Sequence, residues 1–165
     1  MDAIADRFES ADDRRVEVYV RSMLPPLGAK SAQEGLIERL ETLSAESTID
    51  GVSVTVTGDR LCLCETCAAT DAERDLLDRI AEIDEWGDDH GATASPFFET
   101  RDLDSSMAGE TARALVPPRV CAALYCDDAL AGVFPCRIEG RSYAVTDLVD
   151  ALDRFSEGRQ LVVEP

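Results

Sequence analysis

Apolar and polar residues alternate in two segments of the chain, at 16–21 and 52–57. In each segment three valines are separated by polar side chains, which is the two-residue period of a strand with one buried face. A third segment, 120–126, is apolar throughout and is followed by a turn at Asp127-Asp128 and a return segment over 130–138. This pattern predicts two strands with one buried face and a β-hairpin.

Apolar residues recur every three to four positions in three other segments, which is the period of a helix with one buried face. They predict helices over 31–45, 70–86 and 146–155. Residues that cap helices stand at the predicted starts: Ser31 with Glu34, Thr70 with Glu73, and Thr146.

The elements predict one α/β domain over residues 14–158, a size for which a single core is common. Residues 1–13 are strongly acidic and predict a flexible leader. Residues 92–116 have no clear period and predict an irregular connector. Residues 159–165 are expected to form a short tail.

The order of the elements, β-α-β-α-β-β-α, predicts a thioredoxin-like fold with a degenerate active-site loop. Where that fold carries its reactive thiols, after the first strand, the chain has a loop without cysteine at 24–27, and a diproline at 117–118 stands where the fold places a cis-proline. The alternative is a ferredoxin-like βαββαβ fold with the last hairpin and helix appended. It needs a hairpin at Gly58-Asp59 and a strand over 97–101, and the alternation of the first strand favours it, because a central parallel strand is apolar on both faces.

The charge of the chain narrows the classes of partner. It has 34 acidic and 16 basic residues, a formal charge of −18 and only one lysine, Lys30. Acid spread along the whole chain is typical of proteins that work in concentrated salt, where the Debye length falls to about 3 Å at 1 M. We therefore expect a halophilic protein. The charge disfavours DNA as a partner and leaves a protein partner as the expectation, with an unknown oligomeric state.

The location follows from the first residues and from the longest apolar run. The N-terminal segment is acidic and lacks the apolar stretch of a secretory signal. The longest apolar run has the length of one strand, so no membrane span is expected. The sequence predicts a cytoplasmic protein.

Six cysteines are the main candidates for chemistry. Cys64 and Cys67 form a Cys-x-x-Cys pair just before a predicted helix, and such a pair holds a metal or cycles as a disulfide. If the hairpin closes through residues 128–129, Cys121 faces Cys136, and the four thiols become a zinc candidate. Buried structural thiols are the other interpretation, under which no cofactor is expected.

Other catalytic motifs are missing from the sequence. There is no P-loop and no dinucleotide-binding glycine motif, and His90 is the only histidine. No catalytic residue is predicted. The candidate contacts are Arg14 and Arg15 for DNA, and Phe97 and Phe98 for a protein partner. These features favour a non-catalytic regulatory or protein-interaction module, with a thiol oxidoreductase or a zinc-binding protein as an alternative.

Three blocks of sequence carry a family resemblance: 16–22, 96–101, and the end of the hairpin at 134–136. Over about residues 14–155 the chain resembles an uncharacterised haloarchaeal family labelled as helix-turn-helix domain proteins. The resemblance implies a haloarchaeal cytoplasmic protein that acts in transcription regulation by binding DNA. The predicted helices over 31–45 and 70–86 are separated by a strand, and both carry mainly acidic side chains.

Overall fold

The computed structural model describes residues 2–62, 71–93, 99–104, 111–158 and 161–164. It contains four helices: α1 (Asp2–Ser10), α2 (Leu27–Ala45), α3 (Asp71–Asp89) and α4 (Val145–Ser156). The longer strands are β1 (Arg14–Val20), β2 (Gly51–Val56), β5 (Glu99–Asp104), β6 (Thr111–Val116), β7 (Val120–Cys126) and β8 (Ala129–Phe134). The shorter strands are β3 (Leu61–Cys62), β4 (Ala92–Thr93), β9 (Cys136–Ile138) and β10 (Arg141–Tyr143).

A four-stranded sheet in the order β2-β1-β7-β8 forms the centre of the fold. β1 and β2 are parallel and are connected through α2, whereas β7 is antiparallel to β1 and β8 is antiparallel to β7. The β7–β8 turn is Asp127-Asp128, and both residues have positive φ, as a two-residue hairpin turn requires. The α/β class is confirmed, and the thioredoxin-like assignment stays a prediction.

Helices cover both faces of the sheet. Val16, Val18 and Val20 are fully buried on the face that carries α1, α2 and α4. The opposite face carries α3, whose Trp86 donates its indole N–H to the carbonyl of Ala131 at 3.2 Å. Because side chains alternate along a strand, Glu17 lies on the α3 side of the sheet. The core is therefore built on both sides of β1 and β7.

Two small sheets flank the central one, in the orders β3-β6-β5 and β10-β9-β4. The segment 92–116, expected to be an irregular connector, contains the strands β4, β5 and β6 among its described residues. β3 pairs with β6, so the hairpin at Gly58-Asp59 that the ferredoxin-like alternative needs is not formed. Short strands with few apolar residues give too weak a period to be recognised in the sequence.

Both ends of the described chain pack on the core: a helix forms over Asp2–Ser10, where a flexible leader was predicted, and buried side chains lie within the predicted tail. In α1, Ile4 and Phe8 are buried, and the Phe8 ring makes an edge-to-face contact with Phe155 of α4 at 5.1 Å. Near the other end, Leu161 and Val163 are buried. Two buried apolar residues, four positions apart, are enough to dock α1 on the core. Among many acidic residues they do not produce a strong helical pattern in the sequence.

Two helix starts and one peptide bond differ from the expectation. α2 begins four residues before Ser31, with Pro26 as its N-cap. α4 begins after Ala144, whose N–H donates to the Asp147 carboxylate, so Thr146 is not the cap. Thr70 lies outside the described residues. The cis peptide bond lies between Phe134 and Pro135 and not at residues 117–118.

Among the described residues, no helix combines the length and the apolar composition needed to cross a membrane.

Candidate functional site

A groove of about 560 Å³ opens where β1 and β2 end and where α2, β7 and α4 begin. Its volume lies within the range of roughly 300–1,000 Å³ that is typical of binding pockets. The loop between β1 and α2 forms one wall, the first turns of α2 form the second, and the start of α4 forms the third. The apolar lining consists mainly of Leu24, Pro25, Pro26, Leu36, Val120 and Val145.

Hydrogen bonds fix the loop that forms the first wall. Gln33 of α2 is 6% exposed and donates its side-chain amide to the carbonyl of Ser22 at 2.9 Å. The Ser22 hydroxyl in turn accepts the N–H of Leu24 at 3.0 Å. At the start of the loop, the backbone N–H of Arg21 donates to the carbonyl of Arg119 at 3.2 Å. The groove therefore has a preformed shape.

Two large apolar side chains stand exposed in this loop. Leu24 is 81% exposed and Met23 is 53% exposed. Single exposed apolar residues are common, but two adjacent ones beside an apolar groove are typical of an interaction surface.

The electrostatics of the groove differ from those of the rest of the molecule. Two arginines, Arg21 and Arg119, and one acidic residue, Asp59, line it. The N-terminal ends of α2 and α4 also lie at the groove, and helix N-termini carry partial positive charge. The first turn of α2 has no acidic residue to offset that charge, whereas the first turn of α4 carries Asp147. In a chain of net charge −18, the groove is thus a place where basic lining residues outnumber acidic ones.

The opposite face of the sheet carries a network of polar side chains that the sequence patterns did not identify. Arg79 of α3 contacts the carboxylates of Glu17 at 3.4 Å and Glu82 at 2.9 Å. The Tyr19 hydroxyl donates to Glu17 at 2.5 Å, and the Tyr125 hydroxyl donates to Glu82 at 3.0 Å. The sequence signal for this network was the presence of Glu17 and Tyr19 among the valines of the first alternating strand.

This network holds α3 on the sheet. Burial raises the pKa of Tyr19, and the hydrogen bond to Glu17 raises it further. Burial also raises the pKa of Tyr125. The hydrogen bond to Glu82 raises the pKa of Arg79. The two tyrosines therefore stay protonated and Arg79 stays charged, so that each group keeps the partner it has within the network.

The predicted cysteine site divides into two parts. Cys64 and Cys67 lie outside the described residues. Cys121 and Cys136 are buried, and burial raises the pKa of each thiol to about 12. Neither thiol is activated, because a reactive cysteine needs a lowered pKa. The described residues contain no cluster of three or more metal-binding side chains.

The expected pairing of Cys121 with Cys136 across the hairpin is also not formed. The turn is at Asp127-Asp128, and a register shift at residues 124–125 leaves Ala122 opposite Phe134. Cys136 therefore lies beyond the end of β8, in β9. Electrostatic interaction with Cys136 still contributes to the raised pKa of Cys121.

The predicted DNA-contacting arginines are engaged within the protein. Arg14 donates to the carbonyls of Phe8 at 2.7 Å and Glu9 at 3.3 Å. Arg15 pairs with the carboxylates of Asp13 and Asp128. The predicted partner contacts Phe97 and Phe98 lie outside the described residues. The groove residues Arg21, Leu24 and Arg119 were not singled out, because their proximity depends on how strand and helix ends meet in the fold.

His90, the only histidine of the chain, has a local structural role. Its ring stacks on Trp86 with 5.2 Å between the centroids, and its Nδ1 lies 2.9 Å from the Trp86 carbonyl oxygen. These contacts lie at the C-terminal end of α3.

The fold and the groove define an α/β protein with an apolar groove at one end of its central sheet. The family model described as "Helix-turn-helix domain" matches residues 8–157, so the chain belongs to that family. This confirms the helix-turn-helix label of the family predicted by the sequence resemblance. No curated protein and no solved structure matches the chain.

The helices of the described residues are not arranged as the family description suggests. β1 separates α1 from α2, two strands separate α2 from α3, and seven strands separate α3 from α4. A helix-turn-helix unit needs two helices joined by a short turn. The described residues therefore contain no two helices joined by a short turn, although the chain belongs to the family.

Proposed function

We propose that this protein is a regulatory protein that acts by binding a segment of a partner protein in the groove at the end of the sheet. The observation that carries the proposal is the exposed pair Met23 and Leu24 beside an apolar groove with a preformed wall. Burying both side chains against a partner would remove apolar surface from water and stabilise the complex.

The charges of the groove support one kind of partner segment. Arg21 and Arg119 lie at the groove together with the N-terminus of α2, whose first turn has no acidic residue. An apolar segment that carries carboxylates beside its apolar residues matches this arrangement, since opposite charges attract and like charges disfavour other partners. The partner segment is thus apolar with acidic residues next to it.

Site-specific photo-crosslinking in cells tests the proposal. A photo-reactive amino acid replaces Leu24 in one variant and Val162 in a matched control, because Val162 is an exposed apolar residue in the C-terminal segment. We expect one protein to be crosslinked at position 24 and not at 162, and Arg119→Glu to reduce that crosslink severalfold. Identical products from both positions, or a crosslink that Arg119→Glu leaves unchanged, would contradict the proposal.

The second candidate function is DNA binding, and the family membership favours it. Arg14 and Arg15 are bound within the protein, so the arginines at the groove are the better DNA contacts. Arg119 is exposed at the groove, Arg60 is exposed next to the lining residue Asp59, and neither forms a salt bridge with the described residues.

A gel-shift titration at several KCl concentrations tests this candidate. DNA binding predicts retarded complexes whose affinity falls with salt and is lost in Arg60→Glu/Arg119→Glu. The double variant Arg14→Glu/Arg15→Glu is a poor probe, because it breaks contacts between α1 and the sheet. Unretarded DNA at every KCl concentration would exclude this candidate.

A further inference from the structure

The central sheet has one edge that the described residues leave open. β2 pairs with β1 on one side, and none of the described strands pairs with its other side. Val54 is 37% exposed and Val56 is 52% exposed, and Ser53 and Thr55 are exposed as well. The edge thus offers both apolar side chains and backbone groups to a partner.

β2 lacks the features with which proteins protect a sheet edge. Natural edges carry charged side chains, prolines or bulges, or they are very short. The β2 sequence, Gly-Val-Ser-Val-Thr-Val, has no charge and no proline in a chain of which 30% is charged. Its pairing with β1 runs without a break over all six residues. An unprotected edge of this length is a template for another strand.

The hydrogen bonds of β2 indicate which residues face the open side. Thr57 N–H donates to the carbonyl of Val20 at 2.8 Å, which continues the parallel ladder from odd-numbered residues. Backbone N–H and C=O groups of a strand point alternately to its two neighbours. The even-numbered residues Val52, Val54 and Val56 therefore direct their N–H and C=O groups away from β1.

We propose that a second copy of this chain pairs with β2, antiparallel and with Val54 on the two-fold axis. Val54 then exchanges two backbone hydrogen bonds with Val54 of the partner subunit, and Val52 lies opposite Val56 of the partner subunit. The pairing joins two four-stranded sheets into one of eight strands. Such a contact is the same patch on both subunits, as a two-fold axis requires.

The distribution of charge selects a second copy as the occupant. Two molecules of charge −18 repel each other over most of their surfaces, and the uncharged β2 is a strip where they can meet without opposing carboxylates. Acidic residues stand around the strip: Asp50 and Asp59 near its ends, and Asp75 and Asp78 at the cleft lined by Ser53 and Thr55. Their repulsion across the axis is screened by salt, so the dimer strengthens as KCl rises.

Sedimentation equilibrium of the full chain in low and in concentrated KCl tests the proposal. We expect a mass near 17.9 kDa in dilute protein and twice that mass at high concentration in KCl. Val54→Lys places two like charges at the axis and is expected to weaken association by on the order of 100-fold. Leu24→Lys, in the groove, is the matched control and keeps the dimer, so the proposed function and the dimer can fail separately.

Disulfide crosslinking tests the register. In a background of Cys62→Ser/Cys64→Ser/Cys67→Ser, Val54→Cys brings two thiols to a paired position with Cα atoms about 5.5 Å apart, within disulfide range. Thr55→Cys is the control, because position 55 lies opposite Ser53 of the partner subunit. We expect oxidation to crosslink Val54→Cys and not Thr55→Cys. A wild-type monomer at all concentrations, a dimer that survives Val54→Lys, or equal crosslinking at both positions would overturn the proposal.

Discussion

The guanidinium group of Arg14 lies over the Phe8 ring, 4.9 Å from its centroid, and donates through Nε to the Phe8 carbonyl oxygen at 2.7 Å. The same group lies 5.6 Å from the ring centroid of Phe155. One side chain of β1 thus joins α1 and α4. This arrangement gives a structural reason for the basic residue at position 14, which the sequence offered only as a candidate DNA contact.

Replacing Arg14 by alanine is expected to destabilise the fold by about 2–3 kcal/mol, since it removes charge-assisted hydrogen bonds and cation–π contacts. Arg15→Ala is the matched control. It breaks ion pairs of a side chain that is 41% exposed, and such surface pairs contribute about 0–1 kcal/mol. Urea unfolding at fixed KCl, followed by circular dichroism, measures both. Equal losses in the two variants would show that Arg14 is not a link between the helices.

Gly132→Ala is expected to destabilise the protein, by about 1–3 kcal/mol for an overpacked core. A Cβ atom at this position of β8 would lie 3.1 Å from Ile4 Cδ1 and 3.2 Å from Phe134 Cε2. Gly35→Ala is the opposite case, because a Cβ there meets nothing within 4 Å and alanine favours the helix by about 1 kcal/mol. Thermal unfolding should therefore move in opposite directions for the two variants, and a shift of the same sign would contradict the packing of α1 on β8.

The buried thiols make stability depend on alkaline pH. Burial raises the pKa of Cys126 to about 11 and that of Cys121 and Cys136 to about 12, from 9.0. The folded protein keeps these protons where the unfolded chain loses them, so this contribution is fully present below pH 9 and falls as the pH rises toward 12. Urea unfolding from pH 8 to pH 11 should show a declining free energy of unfolding.

A thiol-specific reagent gives the second measurement on the same groups. In the Cys62→Ser/Cys64→Ser/Cys67→Ser background, the three remaining cysteines should react slowly at pH 8 in the folded protein and quickly in urea. Fast reaction of the folded protein would show that one of the three thiols is accessible.

We expect the free energy of unfolding to rise with KCl concentration, because salt screens the repulsion within a chain of charge −18. A variant in which several exposed carboxylates are exchanged for their amides should need less salt for the same stability. The exchanged residues are Glu38, Glu41, Glu85, Asp88 and Asp150. Urea titrations across KCl concentrations compare the two proteins. Stability that is independent of KCl would contradict the halophilic interpretation.

The sequence predicted the elements whose patterns are local. β1, β2, the β7–β8 hairpin and the cores of α2, α3 and α4 follow from valine alternation and helical spacing. The polar residues Glu17 and Tyr19 argued against a central position for the first strand, and yet β1 is a central strand of the sheet. Their partner Arg79 is 62 residues from Glu17, and a contact over that separation leaves no local pattern.

Features fixed by distant contacts were predicted poorly. The helix α1 contacts Leu130 and Phe155, and the residue Asp12 that follows it contacts Asp127. All three partners are more than a hundred residues away, so the segment resembles an acidic leader in the sequence. The groove depends on the meeting of two strand ends with two helix starts, which no single stretch of sequence records. Neither feature could be recognised in so acidic a sequence, because isolated arginines and leucines among many carboxylates form no motif.

The contacts of α1 also determine when it can become part of the protein. The Asp127 carboxylate of the β7–β8 turn accepts the N–H groups of Asp12 and Asp13, just after α1, at 3.0 Å, and the Phe8 ring of α1 packs against Phe155. On the ribosome Asp127 and Phe155 are made more than a hundred residues after α1. Ile4 and Phe8 of α1 can therefore be buried only after those distant residues have been synthesised.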